Sequence, residues 1–136
     1  MVTQPEHNEP ALNQAIPGEQ SDTTTPHQLA IDLKAYTLGN VLTEDKRKQL
    51  IDWMSGNQMT DSLIRAAVPV EWKVSDKSGS GGYGTRNDIA LITRCGQAPI
   101  ILVVMTTHQS QEAKSDDALV VDAAKIAVAE LLRQEK

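Results

Sequence analysis

Pro69 divides this chain by hydrophobic period, and that division limits the fold more than any other feature. Before it, apolar residues recur at helical spacing; after it they come in short runs rich in Val, Ile and Thr, separated by glycine-bearing turns. Thr25 reads as an N-cap with Pro26 at the first helical position, where its missing N–H costs nothing. Leu29, Leu33 and Tyr36 then share one helical face, and Gly39-Asn40 ends the helix. A second helix starts at Thr43 with Glu44 and Asp45 in its first turn, turns Leu50, Ile51 and Met54 inward, and stops at Gly56-Asn57. A short third helical piece spans 61–67. Extended runs at 70–75, 88–93 and 99–107 predict an antiparallel three-strand meander. Val120, Ala123, Ala124, Ala127, Val128 and Leu131 form the apolar stripe of a final helix that covers one sheet face. The fold class is therefore α+β.

With two Trp, two Tyr and no Phe in 136 residues, the core has to be built from Leu, Ile, Val, Ala and Met. A net charge of -5 argues against a nucleic-acid partner, because phosphate neutralisation needs Lys and Arg clustered on one face. Lys46, Arg47 and Lys48 mix with Glu44 and Asp45 only as the solvated start of a helix. A single cysteine, Cys95, excludes an internal disulfide and any cysteine-rich metal site, and no metal or cofactor is expected. The first residues show neither a basic start followed by an apolar stretch nor a small-residue cleavage site, so no secretory signal is expected in them. The apolar runs at 100–105 and 123–132 fall short of the roughly 18 residues a membrane span requires.

Residues 1–25 carry Pro5, Pro10, Pro17, Gly18 and the run Ser21-Asp22-Thr23-Thr24-Thr25, which is loop chemistry. So long a loop is functional or disordered in a compact domain. It holds Glu9-Pro10-Ala11-Leu12-Asn13, a carboxylate with an amide four positions on, which by residue type and spacing alone reads first as exposed loop chemistry. Further along stand Lys77-Ser78-Gly79 and Gly84-Thr85-Arg86-Asn87-Asp88, where a Lys and an Arg on neighbouring strands can hold an anion. Equally, both cations can face solvent and pair with Asp76 or Asp88. No lysine in the 136 residues has a serine three positions before it, so the Ser-x-x-Lys pattern of an activated nucleophile is absent.

Taken in order, these segments resemble the C-terminal half of a class A serine β-lactamase. Glu9 to Asn13 is similar to that family's Glu-x-x-Leu-Asn omega loop, Ala15-Ile16-Pro17-Gly18 and Asp22 to Pro26 to its continuation, and Lys77-Ser78-Gly79 to its Lys-Thr/Ser-Gly strand. The resemblance covers nearly the whole chain and implies a partial β-lactamase/transpeptidase-like fold. Residues 1–68 would be the omega loop and helices of the all-α part, and 69–136 the strands and last helix of the α/β part. It implies hydrolysis of the β-lactam amide through a serine acyl-enzyme. Glu9 would activate the deacylating water, with Asn13 beside it. Lys77, Ser78, Gly79, Ser80 and Arg86 would bind substrate, Ser80 through its N–H at the oxyanion hole. Asp22, Arg65 and Asp76 would be structural, the last two as an ion pair.

The implied partners are β-lactam antibiotics and the missing N-terminal half of the enzyme, with no nucleic acid and no membrane. The implied location is periplasmic or secreted. Without its nucleophile the isolated chain is expected to be inactive, and with sheet edge and apolar surface uncovered, to aggregate or be molten.

Two departures from the family pattern stand out. His7 occupies the place of an arginine that commonly pairs with the aspartate matched by Asp22, and Gln4-Pro5-Glu6 replaces the usual Arg-Leu-Asp, so a looser loop neck is expected. The usual Trp-Pro is missing at Thr93-Arg94-Cys95. A non-enzymatic truncated remnant and a penicillin-binding module related to transpeptidases remain as alternatives; the Glu9 loop argues against the latter, because fast deacylation is what that loop provides.

Overall fold

The structure is a computed structural model and describes residues 5–135; the expectations that touch 1–4, including Gln4, lie outside the described residues. Helix α1 (Pro26–Thr37) is capped as its sequence predicts, with Thr25 Oγ1 accepting the Gln28 N–H at 3.1 Å. Helix α2 (Glu44–Ser55) opens on Glu44 and Asp45, whose charges suit the positive end of its dipole. A 3-10 turn at Ile64–Ala67 leads into strands β1 (Lys73–Ser80), β2 (Arg86–Thr93) and β3 (Ile100–Thr106), followed by helix α3 (Asp117–Gln134). The sheet order is β1-β2-β3 and both pairings are antiparallel, so the meander predicted from the period change is present.

The first strand differs from its expected range. It begins at Lys73 and runs through Lys77-Ser78-Gly79 to Ser80, where 70–75 was predicted. Asp, Ser and Gly close together read locally as turn chemistry, but cross-strand pairing down to Ser80↔Arg86 overrides that preference. The same pairing starts β2 at Arg86, two residues earlier than expected.

Alternation along the strands separates the two sheet faces. Val74, Ala90, Ile92, Ile100, Leu102 and Val104 face α3, where they meet Val120, Ala124 and Val128 together with Leu63 and Ile64 from the 3-10 segment. Leu63, Ile64, Ile92 and Val120 are fully buried, and each contributes roughly 1.5–3 kcal/mol of burial. Helices α1 and α2 pack on the opposite side, where Ser55 Oγ meets Ser75 Oγ at 2.6 Å. The sheet is therefore the middle of three layers.

Arg94, within the segment where the family pattern has Trp-Pro, serves as a clasp. The residue is 4% exposed; its guanidinium donates to the Ala98 carbonyl at 2.7 Å and to both Glu135 carboxylate oxygens, and lies 5.4 Å from the centre of the Trp72 ring. It ties the end of α3 to the β2–β3 turn. No helix among the described residues is long and apolar enough to cross a membrane.

Candidate functional site

The loop ahead of α1 is shaped by its own polar side chains. Asp22 adopts a left-handed backbone (φ +57°), which a short polar side chain tolerates, and its carboxylate reaches back across the loop neck. Oδ1 accepts the backbone N–H groups of Glu6 at 2.5 Å and His7 at 3.0 Å, and Oδ2 lies 2.6 Å from His7 Nδ1. Those two backbone donors first, and the imidazole next, hold the Asp22 carboxyl below the usual carboxylate range. His7 and the two backbone donors thus join the two sides of the neck through Asp22. One side-chain contact together with two backbone donors takes the part expected of a guanidinium fork.

Within the loop, a 3-10 turn at Ala11–Asn13 brings the Asn13 amide back onto Glu9, whose Oε2 accepts its hydrogen bond. The two residues predicted to grip one water therefore form a direct pair. Asn13 also fastens the loop to the sheet, because its carbonyl accepts the Gly82 N–H at 2.8 Å. Gly82 has to be glycine for this approach, since a Cβ there would stand 2.3 Å from the Gln14 carbonyl oxygen. Asn13, Gly79, Ser80 and Gly81 share a cavity of about 770 Å³ between the loop and the sheet.

On the far side of the hairpin, Arg86 is held by two partners. Nη1 donates to Ser80 Oγ at 2.9 Å and Nε to Asp117 Oδ1 at 2.9 Å, while Asp117 Oδ2 accepts from Ser62 Oγ. Ser62 first, then Arg86, lowers the proton affinity of the Asp117 carboxyl. Arg86 pairs with neither Asp76 nor Asp88, the two partners weighed from sequence. Asp117 and Ser62 were missed, because both lie far from Arg86 in the chain and Asp117 reads locally as a first-turn acid of α3.

Lys77 is exposed, donates to the Ser78 carbonyl at 2.6 Å and has no ion pair among the described residues. Its side chain borders a separate groove of about 570 Å³ lined by Leu29, Tyr36, Leu50 and Trp53 of α1 and α2. Glu9, Asn13, Gly79 and Ser80 are thus brought to one region with Arg86 joined through Ser80, whereas Lys77 stands at its border toward α1 and α2.

Beneath the strand, Arg65 donates to Asp76 Oδ1 through Nε at 3.0 Å and Nη2 at 2.7 Å, and caps the end of α2 through the Met54 and Ser55 carbonyls. Asp76 and Asp88 are both fully buried. Asp88 accepts the Ile64 N–H, yet burial pushes its carboxyl up to about 7. No group of His, Cys, Asp and Glu among the described residues is arranged to hold a metal ion.

Residues 3–131 match the model of the beta-lactamase enzyme family. A beta-lactamase of Bacillus amyloliquefaciens is 52% identical over 130 residues, covering 96% of this chain and 42% of that protein. Beta-lactamase ROB-1 of Haemophilus influenzae is 49% identical over 124 residues, covering 91% and 41%. The crystal structure of a class A beta-lactamase from Clostridium kluyveri DSM 555 superposes with a TM-score of 0.93 at 55% identity, over 96% of this chain and 50% of that one. The chain spans about two-fifths of the length of the curated relatives it matches. With the family model matching nearly its whole length and a class A fold reproduced closely, this chain belongs to the β-lactamase enzyme family and corresponds to the C-terminal part of its class A members.

Proposed function

We propose that this chain supplies the deacylation and substrate-gripping part of a class A serine β-lactamase. The observation that carries the reading is the Glu9–Asn13 pair, fastened through Asn13 and Gly82 to the turn that follows Lys77-Ser78-Gly79-Ser80. Opening a β-lactam on a serine leaves an ester, and releasing it needs a water deprotonated next to the carbonyl. Glu9 takes that proton, and Asn13 holds both the carboxylate and the water. Ser80 offers its N–H to the carbonyl oxygen, where negative charge develops in the tetrahedral intermediate. Lys77, Ser78 and Arg86 receive the carboxylate of the antibiotic, with Arg86 preset by Asp117 and Ser80 so that little side-chain freedom is lost on binding. Asp22 closes the loop, and Arg65 with Asp76 supports the strand from below.

The nucleophilic serine belongs to an N-terminal half. Two surfaces support its docking: the apolar groove between α1, α2 and Ile89, with Trp53 69% exposed, and the outer edge of β3, unpaired among the described residues. In this reading residues 1–68 contribute to the all-α part and 69–136 to the α/β part, and the assembled enzyme works in the periplasm or outside the cell. The test is nitrocefin hydrolysis by the purified chain, alone and mixed with an N-terminal half bearing Ser-x-x-Lys. Turnover only in the mixture is expected. Turnover by the chain alone, or none in a mixture that demonstrably assembles, would overturn the assignment.

A further inference from the structure

We propose that His7 is a positioning residue whose protonation controls closure of the loop neck, making the placement of Glu9, two residues further on, pH-dependent. The inference rests on the reading of Glu9 given above. Its basis is the composition of the neck. Asp22 Oδ2 faces His7 Nδ1 at 2.6 Å, and the carboxylates of Glu6 and Glu19 also bear on the imidazole. Asp22 is only 8% exposed in its side chain, while His7 is half exposed and open to proton exchange with solvent. No Lys or Arg pairs with Asp22 among the described residues, so His7 is the cation that balances this acidic end of the loop.

A neutral imidazole can still donate one hydrogen bond from Nδ1, but it no longer offers a positive charge to Asp22, Glu6 and Glu19, the three carboxylates that act on it. The hydrogen bond to Asp22, and then the Asp22 charge, raise the proton affinity of His7 above its usual value, with Glu19 and Glu6 acting in the same direction. The charged form therefore persists beyond pH 6.5. The charge-assisted clamp is complete below that pH and is lost as pH rises through the raised value. An arginine at this position would stay charged throughout and could not act as a switch.

The test is amide hydrogen exchange at Glu6 and His7, both bonded to Asp22 Oδ1, measured in the chain assembled with an N-terminal half. Rates are corrected for their intrinsic base catalysis and followed from about pH 5.5 to about pH 8.5, the range in which a histidine titrates. In the wild type, protection is expected to fall measurably across the range, in the direction set by the raised proton affinity of His7. His7→Arg is expected to hold it constant, and His7→Gln to keep it low throughout. A wild-type profile as flat as that of His7→Arg would overturn the inference, as would His7→Gln protection equal to the wild type at acid pH. If His7→Gln does not assemble, the comparison with His7→Arg decides alone. Exchange is read without catalysis, so a pH-dependent neck in an assembly that hydrolyses nothing would sink the reading of Glu9 and spare the switch. A flat neck in an active enzyme would do the reverse.

Discussion

Replacing Asp88 with asparagine should remove a destabilisation that the wild type suffers as pH rises. Asp88 is fully buried; Oδ2 accepts the Ile64 N–H at 3.1 Å, and Oδ1 has no partner among the described residues. Burial, reinforced by the nearby Asp76 charge, raises its pKa from 3.8 to about 7, while the Ile64 N–H, Arg86 and Arg65 act the other way. A folded state that binds its proton more tightly than the unfolded chain loses stability as pH climbs between those two values, and the loss levels off above the upper one. At about 1.4 kcal/mol per pH unit the shift corresponds to at most about 4 kcal/mol, and roughly 2 kcal/mol is a sensible lower figure given the relaxation of real interiors. The amide that takes the carboxyl's place keeps an acceptor for the Ile64 N–H, and any cost of its extra donors is independent of pH. The assay is urea unfolding of wild type and Asp88→Asn, in the assembled enzyme, at matched pH values from about 4.5 to about 8. Titration of His7, Asp22 and Asp117 is common to both proteins and cancels in the difference. The variant should gain about 2–4 kcal/mol relative to wild type across that range. Parallel pH profiles would refute the reasoning.

Two further substitutions probe the frame of the site. Arg65→Ala leaves the fully buried Asp76 without its cation, and should lower unfolding free energy by about 3–5 kcal/mol, an effect that a matched apolar pair at both positions should largely recover; an unchanged urea midpoint would show that the pair adds nothing to the frame. Gly82→Ala places a Cβ 2.3 Å from the Gln14 carbonyl oxygen and pushes the loop off the hairpin, so stopped-flow kinetics of the assembled enzyme should show deacylation falling at least about tenfold while acylation changes little. Equal losses in both steps would place the damage elsewhere.

How far the fold could be read in advance depended on whether the deciding interactions were local. Thr25-Pro26 and the apolar spacing of α1 and α3 are local signals, and the helices stand close to where those signals put them. The extension of β1 to Ser80 was not legible in the local period, because Asp76 to Ser80 has turn-like composition and becomes a strand through its pairing with β2; only the likeness of Lys77-Ser78-Gly79 to a family strand pointed to it. In the site, the i, i+4 spacing put Glu9 and Asn13 near one another, but it was read as two groups around one water and not as the direct hydrogen bond they form. The Arg86–Asp117 pair did not announce itself, because it joins residues 31 apart whose neighbours suggest other partners. His7 was legible as a departure from the family pattern, but its surroundings were not: the residue type says nothing of the two backbone donors that share Asp22 with it.

The most direct test of the account is the mass of the assembled enzyme carrying Glu9→Gln after brief exposure to a penicillin. The substituted amide can occupy the same place beside Asn13 but cannot take a proton from water. The serine should still be acylated and the ester should persist, so the spectrum should show one covalent adduct per assembly that outlives the wild-type adduct by about a thousandfold or more. An unmodified mass with continued hydrolysis at the wild-type rate would mean that Glu9 is not the base, and the placement of deacylation chemistry on this loop would be wrong.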